Sequence, residues 1–218
     1  MTKVYTGPSR PVPKETDGRL NAPSAARNQG PILEVLRRHL PETGTAIEFA
    51  SGSGQHIAAF AEAFPGIHWT PTDAEPERLP SIEAWRAASG RDNLGPPLHV
   101  IVGKTPWPFA PQSTDATLTV NMLHLVSPDV VEALFSNISA TLKPGGLAFV
   151  YGPFKREGQF VSDGDRAFDE TLRAMDPAIG YKDRDWVAAC AVSAGLRVVE
   201  WVKMPANNLM LVAMKQTA

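Results

Sequence analysis

Four residues stand at spacings that could do chemistry: Glu48 within an apolar run, Gly52 and Gly54 directly after it, and Asp73 nineteen residues beyond Gly54. A glycine turn between a strand and a helix lets ligand atoms approach main-chain N–H groups with no Cβ in the way. Three ligand classes use such a turn. A phosphate-binding loop requires G-x-x-x-x-G-K-[ST], and no lysine closely follows Gly54. The dinucleotide pattern G-x-G-x-x-G is met at Gly52 and Gly54, but Ile57 holds the third position, which counts against NAD. The third class, S-adenosylmethionine, carries no phosphate. It needs the glycine turn beside its amino-acid end and an acid after the second strand to accept hydrogen bonds from both ribose hydroxyls. Asp73 occupies that place, and Glu48 could help hold the ammonium group. Alone, Asp73 reads equally well as a solvated turn residue or a helix cap. Together with Glu48, Gly52 and Gly54 it points to an adenosine-containing ligand.

A second group of polar residues falls where later strands end, which is where ligands bind in open α/β sheets. Asn121 and His124 follow the fourth apolar run, Tyr151 the fifth, and Asn207-Asn208 precede the last. If the reaction is methyl transfer, the protein mainly positions the acceptor and excludes water, and it needs a base only for an acceptor that arrives protonated. His124 is the best candidate base, since a free imidazole titrates near neutrality; its bland reading is a loop histidine bonded to main chain. Asn121 either holds the cofactor or acceptor, or satisfies a strand-end carbonyl. His56 is a candidate for the cofactor's carboxylate or a structural contact at a helix start. Arg27 and Asn28 either cover the pocket or cap and decorate a helix. Tyr151 could reach substrate or simply pack. For Asn207 and Asn208, substrate contact and a plain turn are both open. Trp107 could line the pocket or pack. The five histidines are dispersed and there is one cysteine, so no metal spacing is present.

The elements that must position these residues are legible from periodicity. Pro31 opens a helix whose stripe is Ile32, Leu33, Leu36 and Leu40, stopped by Pro41 and Gly44. TAIEFA is a buried-strand candidate, and Gln55–Phe64 a helix with Ile57, Phe60, Ala61 and Phe64 on one face. IHWTPTD reads as the second strand, Pro80–Ala88 as a helix and Leu98–Val102 as the third strand. Ala116–Leu123 reads as the fourth strand; Ser127-Pro128 then starts a helix carrying Val131, Leu134, Phe135 and Ile138. LAFVYG is the fifth strand, two helices fit Asp165–Met175 and Asp183–Ser193, and LRVVEWV and NLMLVAM close the chain. Strands alternating with helices, then two strands close together, predict one α/β domain. Its mostly parallel sheet carries an antiparallel strand at or near one edge.

Composition sets the remaining bounds. Of 218 residues, 43% are hydrophobic and 20% charged, enough to bury a full core, and the net charge of -2 provides no field to attract nucleic acid. A small-molecule partner is therefore expected rather than nucleic acid or membrane, and oligomeric state is left open. No apolar run approaches a membrane span or a signal peptide. The lone Cys190 cannot form an internal disulfide, which fits a cytoplasmic protein, and its apolar surroundings favour an inert thiol. Residues 1–20, with Pro8, Pro11 and Pro13, read as an arm, disordered or folded over a site, ahead of a single domain spanning 21–218.

From about Asn21 onward the sequence resembles the methyltransferase-like 26 family, also grouped as domain of unknown function 938. The matching segments are ARNQGPILEVL, EFASGSGQHIAAFAEAFP, WTPTD, NMLHLVSP, YGPF, FDETLRAMDP and MPANN, of which SGSGQH and MPANN together are the most specific. The resemblance implies a class I methyltransferase fold: a three-layer, Rossmann-like sandwich around a seven-stranded, mostly parallel sheet with one antiparallel strand. It implies S-adenosyl-L-methionine at Ala50, Ser51, Gly52 and Gly54, with Ala50 where the superfamily motif has glycine. Ile101 stands where relatives carry an acid near the adenine, so main chain around Val102 would have to replace it. Lys182-Asp183 stands where relatives show Arg-Asp, which matters if the arginine is bidentate. The implied activity is methyl transfer to a small molecule. The alternative is a protein that holds S-adenosylmethionine or its product without turnover and acts through a protein partner; a nicotinamide dehydrogenase is a third, disfavoured by Ile57.

Overall fold

The computed structural model describes residues 15–104 and 106–217. Its elements run α1 (Pro23–His39), β1 (Gly44–Phe49), α2 (Gln55–Ala63), β2 (Ile67–Asp73), α3 (Leu79–Ser89), β3 (Leu98–His99) and β4 (Thr114–Val120). A 3-10 turn (Leu123–Leu125), α4 (Pro128–Thr141), β5 (Leu142–Pro153), α5 (Asp163–Met175), α6 (Arg184–Ser193), β6 (Leu196–Lys203) and β7 (Asn208–Lys215) complete it. One seven-stranded sheet has the order β3-β2-β1-β4-β5-β7-β6. β7 runs antiparallel to both neighbours and is the single reversed strand, one place in from the β6 edge.

Strand alternation sorts the side chains into two cores. Leu147, Phe149 and Tyr151 of β5 join the cluster that includes Ile32 and Leu36 of α1 and Ile57 and Phe60 of α2. Ala148 and Val150 point the other way, toward Val131 and Phe135 of α4 and Val187 and Ala191 of α6. A sheet with apolar side chains on both faces needs a helical layer on each, hence the three-layer architecture. A small third cluster, Leu172, Ile179 and Tyr181, sits beneath α5.

Three of the differences from expectation bear on the local chemistry, besides β4 ending at Val120 rather than Leu123. α1 begins at Pro23, and Pro31 lies inside it. Proline at either site lacks an N–H, but only the interior one removes a helical hydrogen bond, and packing of Ile32, Val35 and Leu36 carries the helix through. β3 shrinks from Leu98–Val102 to two residues: the Val100 N–H still donates to the Asp73 carbonyl (2.9 Å), and the chain then turns at Val102 and Gly103. Ser127 stands at the start of α4 with Pro128 next, yet its hydroxyl makes no capping bond. Helices α5 and α6 do carry side-chain caps, from Ser162 and Asp183.

The expected arm falls largely on residues 1–14, outside the described residues. Residues 15–20 lie against α3: Leu20 N–H donates to Ser81 Oγ (2.9 Å), and Trp85 Nε1–H donates to the Leu20 carbonyl (3.0 Å). Arg19 stands over the Trp85 ring at 4.7 Å.

Candidate functional site

The ends of β1, β2, β4 and β5, together with α1 and α5, enclose a cleft of about 880 Å³. Arg27, Asn28, Ala50, Gly52, Asp73, Asn121, His124, Tyr151 and Asn208 all line it, so residues spread over most of the chain converge on one space. Glu48, Ser51, Gly54, His56 and Asn207 do not line it, and Val102 belongs to a neighbouring cavity.

The glycine turn is braced from several sides. Ser51 N–H donates to the Thr72 carbonyl (2.8 Å), and Thr72 Oγ1 donates to the Glu48 carbonyl (2.9 Å), tying β1 to β2. Gly52 N–H donates to Asp73 Oδ2 (2.8 Å), and Glu75 N–H donates to Oδ1 (2.9 Å). Each oxygen retains a second lone pair, so Asp73 is held in place and still able to accept from a ligand at the cleft. Burial raises its pKa, opposed by the Glu75 and Gly52 amides and by Arg78. Gly54 caps α2 with φ 88°, and a Cβ there would stand 2.7 Å from Ile82 Cα. Only glycine fits. Ala50 and Asn121, at the ends of adjacent parallel strands, both have left-handed φ values, 57° and 58°. Such backbone in non-glycine residues stores strain, and here it flanks the cleft.

Glu48 is sealed off. It is 1% exposed, Oε2 has no partner among the described residues, and burial pushes the carboxyl up to about 8. In this structure it stands behind the turn as a protonated acid. His56 faces inward too: its Nε2 lies 2.6 Å from Asn28 Oδ1, its ring stacks on Phe60, and burial holds its pKa down to about 4. Since Oδ1 can only accept, Nε2 carries the proton. Asn28 also hydrogen-bonds Tyr151, whose phenol is pushed up by burial. His56 thus fixes Asn28, and Asn28 joins α1 to β5 at the cleft wall.

His124 sits on the 3-10 turn, 7% exposed, with Phe168 and Tyr181 rings 5.9 and 6.0 Å away. Burial, and secondarily the Lys182 ammonium, hold the imidazole down to about 4, so it is neutral at pH 7, and its buried Nδ1 has no partner among the described residues. Lys182 donates to the Val126 and Gly180 carbonyls (2.7 and 2.8 Å), a role for a lysine point charge rather than an arginine fork. Asn121 donates its N–H to the Tyr151 carbonyl (2.8 Å). Asn207 forms the β6–β7 turn at φ 61° and reaches Asp165 of α5 (3.1 Å), while Asn208 donates to the Pro205 carbonyl (3.0 Å) within that turn. Trp107 packs against Phe49 and donates to Thr141 Oγ1 (2.9 Å), away from the cleft. Cys190 is half-buried, and burial pushes its thiol up.

A second cavity of about 150 Å³ adjoins the cleft and shares Ala50, Ala74, Met122 and Val126 with it. Ile101 and Val102 line one side; Ser127 and Asp129 of the α4 start line another. Ser127 Oγ is buried and has no partner among the described residues. Sequence reading took Ser127 only as a cap and missed Asp129, Arg78, Phe168 and Tyr181. The last two sit on or beside α5, remote from any strand end. Among the described residues, no group of three or more His, Cys, Asp or Glu could hold a metal ion, and no helix is long and apolar enough to cross a membrane.

This sheet order, with one reversed strand beside the edge, defines a Rossmann-like class I methyltransferase fold. An O-methyltransferase family protein from Burkholderia thailandensis shares it (TM-score 0.75, 15% identity, 89% of this chain and 58% of that one). So does an O-methyltransferase family 2 protein from Planctomyces limnophilus in complex with apigenin (0.74, 18%, 88% and 57%). Geranyl diphosphate C-methyltransferase from Streptomyces coelicolor, solved with Mg2+, geranyl diphosphate and S-adenosyl-L-homocysteine, is also similar (0.70, 14%, 87% and 80%). The chain thus spans under two thirds of the first two proteins' length, and at these identities the likeness is one of fold. The family model described as "Protein of unknown function (DUF938)" matches residues 19–215, and the chain belongs to that family.

Proposed function

We propose that this protein binds S-adenosylmethionine and transfers its methyl group to a small-molecule acceptor, and that it is related to the methyltransferase-like 26 proteins. The observation that carries the reading is Asp73. A carboxylate anchored on the Gly52 amide keeps free lone pairs at the end of β2, beside a turn where Gly54 tolerates no side chain. That arrangement suits a ribose diol next to main chain.

The other residues follow from the cofactor's parts. The narrow apolar cavity with Val102 on one wall suits adenine, and Ser127 Oγ and Asp129 supply polar atoms that Ile101 cannot. The start of α1 leans over the turn, since Ala22 N–H donates to Gln55 Oε1 (3.0 Å). Arg27 therefore stands near the amino-acid end. Arg78 is paired with Glu75 (3.2 Å), whereas Arg27 has no carboxylate partner among the described residues, so it is the natural partner of the cofactor's carboxylate. Bound there, S-adenosylmethionine would supply an electrophilic sulfonium methyl for the acceptor's lone pair, with the thioether S-adenosylhomocysteine as the leaving group. Asn121 orients the reacting groups, and His124, neutral at pH 7, accepts a hydrogen bond from the acceptor; with its pKa held down to about 4 by burial it is a weaker base than its residue type suggested.

Titration calorimetry with S-adenosylhomocysteine and with NAD tests the reading. It predicts saturable binding of the first and none of the second. NAD binding alone would replace it with the dehydrogenase.

A further inference from the structure

We propose that the acceptor is an uncharged planar molecule, an aromatic ring bearing a hydroxyl or ring N–H, seated against Phe168 and Tyr181 with its donor directed at His124. This rests on the methyl-transfer reading and names the acceptor class that reading leaves open.

The cleft divides by charge. Its charged lining residues, Arg27, Asp73, Glu75 and Arg78, all belong to α1, to the last residue of β2 or to the segment following it. Where β4, β5 and β7 meet α5, no charged side chain lines it among the described residues. Charges close behind that wall are already engaged. The Lys182 ammonium is spent on two carbonyls, and the Asp169 carboxylate accepts from the Tyr181 amide and from Arg173 Nε (2.8 Å). A carboxylate, phosphate or ammonium entering here would lose hydration and meet no counter-charge.

Shape and surface narrow the class further. Phe168 is 43% exposed although it is a large apolar side chain, and it sits on a helix whose buried residues are only Asp169 and Leu172. Its ring and that of Tyr181 lie 6.2 Å apart in an edge contact and both line the cleft, so a flat apolar body would cover ring surface now facing solvent. One polar atom is left over. His124 lines the cleft and no hydrogen bond engages its ring among the described residues, so a ligand O–H or N–H that reaches the neutral ring finds a free nitrogen acceptor.

Saturation-transfer NMR tests this on full-length protein loaded with S-adenosylhomocysteine, using phenol, toluene, cyclohexanol and benzoate as probes at equal concentration. Loading is verified first by a rise in melting midpoint. Without that rise the methyl-transfer reading itself fails; with it, the probe order judges the acceptor class alone. The expected order places phenol first, toluene and cyclohexanol well below it, and benzoate last. Phe168→Leu should weaken phenol binding about fivefold, the worth of one aromatic contact, and Phe168→Trp should retain it. Benzoate or cyclohexanol matching phenol would overturn the proposal, as would phenol binding indifferent to Phe168→Leu in a variant that still melts cooperatively.

Discussion

On the proposed reading Asp73 has two jobs, and they separate experimentally. Its oxygens fix the Gly52 and Glu75 amides, and they face the cleft. Asp73→Asn keeps the shape but loses the charge, and should weaken S-adenosylhomocysteine by about 1–3 kcal/mol in calorimetry, the cost of a charged hydrogen bond. Unchanged affinity in a folded variant would remove Asp73 from the site. The buried titratable groups give the protein a pH dependence whose signs oppose. His56 and His124 stay neutral down to about 4, against an ordinary 6.5. The unfolded chain therefore binds more protons between those values, and stability falls as pH drops through that window. Glu48 keeps its proton up to about 8 against an ordinary 4.5, so the unfolded chain binds fewer protons there and stability falls as pH rises from 4.5 to 8. Glu48→Gln removes the second slope; measured by urea unfolding, its stability relative to the wild type should gain roughly 2 kcal/mol between pH 6 and pH 8. A constant difference would mean that Glu48 is ionised in the folded protein. Sequence gave no warning of this: an acid on a central strand looks the same whether it faces ligand or core, and only packing decides.

The element that matters most is the turn from β1 to α2, and its glycines are unequal. Gly54→Ala would drive a Cβ into the α3 backbone at positive φ, and should cost several kcal/mol or prevent folding. A Cβ on Gly52 meets nothing nearer than 4.0 Å, so Gly52→Ala should cost only about 1–2 kcal/mol, the penalty of its φ of 58°. Ala50 already carries that penalty, and Ala50→Gly should unfold no more easily than the wild type in the same urea assay. A marked loss of stability would mean that Ala50's methyl, which packs against the α4-side core, outweighs the strain. The strands and most helices were legible because period-2 and period-3.6 patterns report burial directly. Pro31 misled because an interior proline and a first-turn proline look alike when Ile32, Leu33 and Leu36 continue the stripe. β3 was overdrawn because the last bond to β2 is the one from Val100 N–H to the Asp73 carbonyl, and the apolar run continues past it into a turn. For the candidate site, strand-end residues were named because topology alone puts them at one edge; Phe168 and Tyr181 were not, since α5 and the segment after it carry them to the cleft and no local motif places either there.

Across the whole molecule the sheet is the most deeply packed part, and α5 is a helix with only two buried residues. β4, β5 and β7 are covered on both faces by the two large clusters, whereas α5 rests on a small third cluster and is capped to the β6–β7 turn through Asp165 and Asn207. Amide exchange should therefore open α5 well before β4 and β5, and an acceptor seated on Phe168 should slow α5 most. Equal protection of α5 and the central strands would contradict that ranking. On the proposed reading the cleft is a fixed floor for the cofactor under a less anchored wall for the acceptor, and both depend on the ribose lying where β2 ends. A crystal structure with S-adenosylhomocysteine tests that most directly. The account predicts both ribose hydroxyls within hydrogen-bond distance of the Asp73 carboxylate, with adenine between Val102 and the start of α4. A ribose bound elsewhere, or Asp73 still contacting only Gly52 and Glu75, would contradict it.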